Sequence, residues 1–207
     1  MPVVCKGISY NIKHMLKVKV IMGSTREGRH GGKVGEYIQS LASTEAGWEA
    51  EYLDLKALNL PMYAEAVSPS FRESLAGLPE VVQEWSRKIE EADAYIIVTP
   101  EYNHGYPAPL KNAIDWLFKE WNRKPVAFVS YGALLAGGRA VEQLRQVVAE
   151  LHMTSIRAQV LFPAVWEAFD ESGEPKDKAT ENRVRGLFKE LTWWGNALKV
   201  ARESKEA

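Results

Sequence analysis

Two stretches of this chain combine residue types that can hold a ligand at close range. The first, Val20 to Ile38 (VIMGSTREGRHGGKVGEYI), runs from an apolar segment through Gly23, Ser24, Thr25 and Arg26 into a loop with Arg29, His30, Gly31 and Gly32, and then becomes amphipathic. A strand that enters a helix through such a loop offers unpaired backbone N–H groups and a positive helix end, which together attract an anion. Ser24 and Thr25 add hydroxyl donors, while Arg26 and Arg29 add forked cationic donors suited to a phosphate. The triphosphate spacing Gly-x-x-x-x-Gly-Lys-Ser/Thr fails, because Val34 follows Lys33 and Glu27 stands at the upstream glycine position. The dinucleotide fingerprint Gly-x-Gly-x-x-Gly is also missing, so the expected anion is one phosphate monoester. The same glycines suit a plain turn with solvated arginines, and this loop alone leaves both readings open.

The second stretch, Thr99 to Leu117 (TPEYNHGYPAPLKNAIDWL), follows an apolar β-branched run and leads into a helix with proline near its start. Tyr102, His104 and Tyr106 are placed to flank a flat aromatic ligand, Asn103 offers both a donor and an acceptor, and Gly105 allows close backbone approach. A proline-rich connection with Glu101 and His104 at the surface is the plainer alternative for any one of these residues. A flat ring beside a phosphate loop joins the two stretches into one site.

The elements that must position these loops can be read from hydrophobic period. Leu16–Gly23, Trp48–Leu55, Ala94–Pro100, Lys124–Ser130 and Ser155–Pro163 read as strands, and helical patterns lie between them and after the last. Such alternation implies a parallel sheet with helices on both faces, joined by right-handed crossovers. Ligands of such sheets bind beyond the carboxyl ends of the strands, so Ser24–Gly32, Pro100–Pro107 and Ser130–Gly138 should converge. A long proline-marked segment after the second strand, from Asn59 to Pro79, has the length of a lid. Trp116 and Trp121 suit either a subunit interface or the monomer core.

Composition excludes several classes. The 26 basic and 27 acidic residues are mixed along the chain, giving a formal charge of -1 and no basic face for nucleic acid. Cys5 is the only cysteine, which rules out an intramolecular disulfide and fits a cytoplasmic protein. No window reaches the length of apolar sequence needed to span a membrane. His14, His30, His104 and His152 lack metal-ligand spacing, and no Gly-x-Ser-x-Gly elbow is present. Residues 1–14 have no clear period and read as a loosely ordered extension or an upstream start, leaving residues 15–207 as one domain.

On GSTREGRHGGKV and PEYNHGYPAPLKNAIDWL, the chain resembles the NADPH-dependent FMN reductase family, whose flavodoxin-like members include quinone, azo and chromate reductases. The resemblance implies a three-layer α/β sandwich with a five-stranded parallel sheet in the order 2-1-3-4-5. It implies that Ser24, Thr25, Arg26, Arg29, His30 and Gly31 hold the FMN phosphate, and that Pro100, Glu101, Tyr102, Asn103 and His104 border the isoalloxazine. Ser130, Tyr131 and Gly132 match the family's third loop, although Ala133 to Ala136 form an apolar insert before Gly137-Gly138. The implied chemistry is ping-pong: hydride passes from NADPH, or NADH, to the flavin N5, and then electrons pass to a flavin, quinone, azo compound or similar acceptor. No side-chain nucleophile and no metal are implied, and the implied assembly is a homodimer or a tetramer. An electron carrier without nicotinamide activity, or an FMN-binding regulatory protein with Trp116, Trp121, Trp193 and Trp194 facing a partner, are the competing readings.

Overall fold

The computed structural model describes residues 15–204, so the expectation for residues 1–14 lies outside the described residues. β1 (Leu16–Met22), β2 (Trp48–Asp54), β3 (Ala94–Pro100), β4 (Pro125–Tyr131) and β5 (Thr154–Phe162) form one parallel sheet in the expected order β2-β1-β3-β4-β5. The helices are α1 (Gly31–Ser43), the single turn α2 (Leu55–Leu58), α3 (Glu80–Glu90), α4 (Ala108–Asp115), α5 (Gly138–Glu150) and α6 (Thr180–Glu203).

The alternation of side chains along each strand divides the interior into two cores. Leu16, Val18, Val20 and Met22 of β1 pack with Ile96 and Val98 of β3 against α1 and α6. Ile21, Tyr95, Ile97 and Phe128 point the other way, toward α3, α4 and α5. Every residue of β3 and β4 is buried, which is why those segments read as continuous apolar runs, while the edge strands β2 and β5 keep exposed positions. On α1, Val34, Tyr37, Ile38 and Ala42 form the buried stripe, and Gly35 leaves room for Tyr52, whose hydroxyl oxygen lies 2.5 Å from where a Cβ would be.

Two expectations change. The helix after the second loop stops at Asp115, and Lys119–Trp121 forms a separate 3-10 turn. The break lets both indoles turn inward and find acceptors: Trp116 donates to the Pro61 carbonyl at 2.8 Å and Trp121 to that of Ile114 at 3.3 Å. Trp121 packs on Trp85 and Tyr95, with centroids 5.9 and 5.0 Å away, so Trp116 and Trp121 belong to the monomer core rather than to a subunit interface. The long segment after α2 is stitched to α4, since Tyr63 N–H donates to Asn112 Oδ1 at 2.8 Å and Asn112 Nδ2 donates to the Pro61 carbonyl at 2.9 Å. It is a clasp over α4 rather than a lid.

Candidate active site

The three expected loops meet at the carboxyl edge of the sheet, beside the neighbouring strands β1 and β3, from which the chain runs outward to β2 on one side and to β4 on the other. They enclose a cleft of about 280 Å³ lined by Arg26, Arg29 and His30, by Pro100 to Tyr102, and by Tyr131 to Ala133. Val165 and Trp166, from the loop after β5, complete the wall. Sequence period could not assign that loop to the site, because it carries no glycine-rich or amide-rich signal. A larger hollow of about 450 Å³ lies on the far side of Thr25, between the α2 segment and the start of α4. Its mouth holds the Lys56–Glu27 ion pair at 2.8 Å, and it contains neither the second loop's turn nor any part of the third loop.

Ser24 is fully buried, and its hydroxyl shares a 2.8 Å hydrogen bond with the Tyr102 hydroxyl, which fastens the first loop to the second. The Arg26 N–H reaches Ser24 Oγ at 3.4 Å, while the exposed Arg26 side chain has no carboxylate partner among the described residues. Arg29 is different. Its guanidinium donates to the Asp54 carboxylate and to the Ser24 carbonyl, so it clamps the loop to the end of β2. Burial works against this cation, yet the Asp54 hydrogen bond and charge outweigh it and hold Arg29 above its ordinary pKa. His30 occupies the N-cap position of α1 without a side-chain capping bond.

The second loop is a tight turn closed by two backbone bonds, Tyr102 N–H to the Gly105 carbonyl at 2.8 Å and Gly105 N–H to the Tyr102 carbonyl at 3.0 Å. Asn103 and His104 sit at φ 49° and 71°, the left-handed region that costs a non-glycine residue about 1 kcal/mol. Gln143 of α5 steadies the turn by donating to the His104 carbonyl at 2.8 Å. Asn103 and His104 themselves stand exposed at the rim, and Tyr106 packs against the α3–α5 core rather than over the cleft. Glu101 accepts from the Arg139 backbone N–H at 3.2 Å and from Arg139 Nη1 at 3.1 Å, which docks it on the first turn of α5.

In the third loop, Ser130 and Tyr131 are buried with hydroxyls that have no partner among the described residues. Burial pushes the Tyr131 phenol well above its ordinary pKa, so it stays a neutral hydroxyl. Its ring lies against the first residue of α1, and a Cβ at Gly31 would stand 2.0 Å from the Tyr131 hydroxyl oxygen. Gly137 holds φ 82° directly under Ser130, where a Cβ would lie 2.9 Å from the serine's own.

Residues 16–167 match the family model for NADPH-dependent FMN reductase. The chain belongs to this family. It is 39% identical over 141 residues to an NAD(P)H-dependent FMN reductase of Schizosaccharomyces pombe, covering 66% of this chain and 68% of that protein. It is 32% identical over 181 residues to an NAD(P)H:quinone oxidoreductase of Solanum tuberosum, covering 84% and 90%. Among solved structures it resembles FerB, a flavoenzyme NAD(P)H:(acceptor) oxidoreductase from Paracoccus denitrificans, with a TM-score of 0.71, 26% identity, and coverage of 88% of this chain and 98% of that one.

The residues of this family member fit FMN. A buried hydroxyl without a partner costs about 1 to 3 kcal/mol, and that of Tyr131, which lines the cleft, marks a group suited to a polar ligand. The N-terminal end of α1 and Arg26, which has no carboxylate partner among the described residues, supply the positive potential that a phosphate requires. Among the described residues no helix is long and apolar enough to cross a membrane, and no group of three potential metal ligands occurs.

Proposed function

We propose that this chain binds FMN in the cleft between the loops that follow β1, β3 and β4 and acts as an NAD(P)H:acceptor oxidoreductase on quinones, free flavins or azo compounds. The observation that carries the reading is the convergence of Arg26, Arg29 and His30 of the first loop, Pro100 to Tyr102 of the second and Tyr131 to Ala133 of the third on one cleft, where the buried Tyr131 hydroxyl has no partner among the described residues. When bound, FMN supplies the two-electron exchange between nicotinamide and acceptor. Arg26 and the N-terminal turn of α1 hold the phosphate, with Thr25 and His30 at its margin. Arg29 positions the loop through Asp54. The turn from Tyr102 to Gly105 presents backbone donors to the ring edge, and Pro100 with Tyr131 and Gly132 floors the cleft.

Nicotinamide and acceptor use the open side of this cleft in turn, which makes the kinetics ping-pong, with NADPH preferred to NADH. Anaerobic NADPH added to the FMN-loaded protein should bleach the flavin, and bound FMN that neither NADPH nor NADH bleaches would leave only an electron carrier or a regulatory protein. Equal kcat/KM for the two nucleotides overturns the preference. The protein works in the cytoplasm as a homodimer or a tetramer. Exposed Met62, Val67 and Phe71 on the clasp, each more than half accessible, support association. A monomeric mass by light scattering at micromolar protein overturns that assembly.

A further inference from the structure

Leu134 and Leu135 of the third loop's apolar insert lie outside the lining of the flavin cleft, and their placement is unusual. Leu134 is 89% exposed and Leu135 46% exposed, both on a hollow of about 390 Å³ that shares Glu101, Gly132 and Ala133 with the flavin cleft. These side chains are not on a slack loop. Ala136 N–H donates to the Ala133 carbonyl at 3.2 Å and Gly138 N–H to that of Leu135 at 2.8 Å. Ala164 and Val165 of the neighbouring loop donate to the Ala133 and Gly132 carbonyls at 3.2 and 3.1 Å. Ala136 and Ala164 are held at φ 49° and 42°, strain that persists only where surrounding bonds impose it. On the cleft side of the same loop pair stands Trp166, 59% exposed.

We infer that this rigid apolar ledge is a specificity subsite that holds the uncharged, hydrophobic portion of the electron acceptor beside the flavin. The inference rests on the oxidoreductase reading above and adds which acceptors are selected. Electrostatics favour a neutral occupant: among the described residues the charged groups on the hollow are Glu101 and Arg139, paired with each other at 3.1 Å, so an anion gains no free cation from them. Leu134, Leu135 and Trp166 supply apolar contact on both sides of the shared residues, and the ledge therefore selects an alkylated or fused-ring quinone over a small or sulfonated one.

The test titrates FMN-loaded protein, without nicotinamide, with menadione, benzoquinone and a sulfonated naphthoquinone by calorimetry, and then measures KM for each. Leu134→Ser and Leu135→Ser should each weaken menadione binding and raise its KM about tenfold, the scale of one lost apolar contact in a pocket. The benzoquinone and sulfonated values should move less than about twofold. Because Leu134 faces solvent, its change is compatible with folding. Equal shifts for all three acceptors, no shift for menadione, or tighter binding of the sulfonated compound than of menadione each overturn the subsite. A change of mass by light scattering in Leu134→Ser also overturns it, since the ledge is then covered by a second copy. Menadione binding is read without NADPH, so failure of the reductase reading shows separately, as a flavin that NADPH does not bleach.

Discussion

Replacing Gly31 and Gly32, one at a time, with alanine should move stability in opposite directions. Both residues open α1, and in a helix alanine is favoured over glycine by up to about 1 kcal/mol. At Gly32 a Cβ meets nothing within 4 Å, so Gly32→Ala should gain about 0.4 to 1 kcal/mol. At Gly31 the Cβ would lie 2.0 Å from the Tyr131 hydroxyl oxygen, 2.2 Å from Cζ and 2.6 Å from Cε1. To restore 3.4 Å the hydroxyl must retreat by about 1.4 Å, and Tyr131 is only 4% exposed at the end of a fully buried strand. Overpacking of that kind costs about 1 to 3 kcal/mol, which exceeds the helix gain. Urea unfolding of the FMN-free protein reads both changes, and FMN titration should show weaker binding in Gly31→Ala alone, because the displaced ring and helix end both border the cleft. Tyr131→Leu removes the crowding atoms, so the double variant should recover most of the Gly31→Ala loss. Gly31→Ala as stabilising as Gly32→Ala would refute the close packing of α1 on Tyr131 and the account of the cleft built on it.

Arg26→Ala should weaken FMN binding by about 1 to 3 kcal/mol, the scale of a lost charge-assisted hydrogen bond, with little change in the stability of the FMN-free protein. Arg29→Ala should instead destabilise the FMN-free protein, by about 1 to 3 kcal/mol in urea unfolding, because it strands Asp54. Asp93→Ala, which removes the acceptor for Lys199 at 2.8 Å, Arg202 at 3.0 Å and the Lys17 N–H at 3.0 Å, should cost about 2 to 3 kcal/mol and leave FMN affinity unchanged. Burial, with Arg202 beside it, pulls the Lys124 ammonium down to about 7 from an ordinary 10.5, against Glu90, Asp93 and Glu120. The unfolded chain therefore binds the extra proton between those values, and stability should rise with pH above 7 by up to about 1.4 kcal/mol per unit from this group. Lys124→Met should lose that slope, and an unchanged slope in urea unfolding from pH 7 to pH 9 refutes the assignment.

The sheet was legible because its central strands are buried on both faces, so Ala94–Pro100 could only be a run of apolar residues. The loops of the candidate site stood out because they hold residues that ordinary connections do not need: Gly31 under a tyrosine, and Asn103 and His104 in a left-handed turn. What a period cannot carry is the pairing of long side chains across elements. Arg26 and Arg29 look alike in sequence, and only the arrival of Asp54 at the end of β2 separates a free cation from a clamp. Glu101 likewise reads as a free carboxylate until α5 presents Arg139 to it. The tryptophans stayed undecided for a related reason: Leu110, Ile114, Leu117 and Trp121 keep helical spacing, but an indole N–H in a core must find an acceptor, and the helix ends to let it.

The two edges of the sheet hold their polar groups by opposite rules. At the amino edge Asp93 pairs with Lys199 and Arg202, and Lys124 donates to the carbonyls at the end of α3, Ile89 at 2.8 Å and Glu90 at 2.6 Å. At the carboxyl edge, among the described residues, Ser130 and Tyr131 are buried without partners, two adjacent residues sit in left-handed conformations, and Arg26 has no carboxylate beside it. A chain that leaves such groups unsatisfied at one edge can bear the cost because the other edge is closed. FMN should therefore raise the unfolding temperature by more than its contact with the first loop alone supplies, since it removes a cost already present in the FMN-free protein. In Ser130→Ala, which removes one orphan hydroxyl, the FMN-free protein should become more stable and the FMN-induced rise in Tm smaller. A larger FMN-induced rise in that variant would mean that the buried serine is not part of the ligand's support.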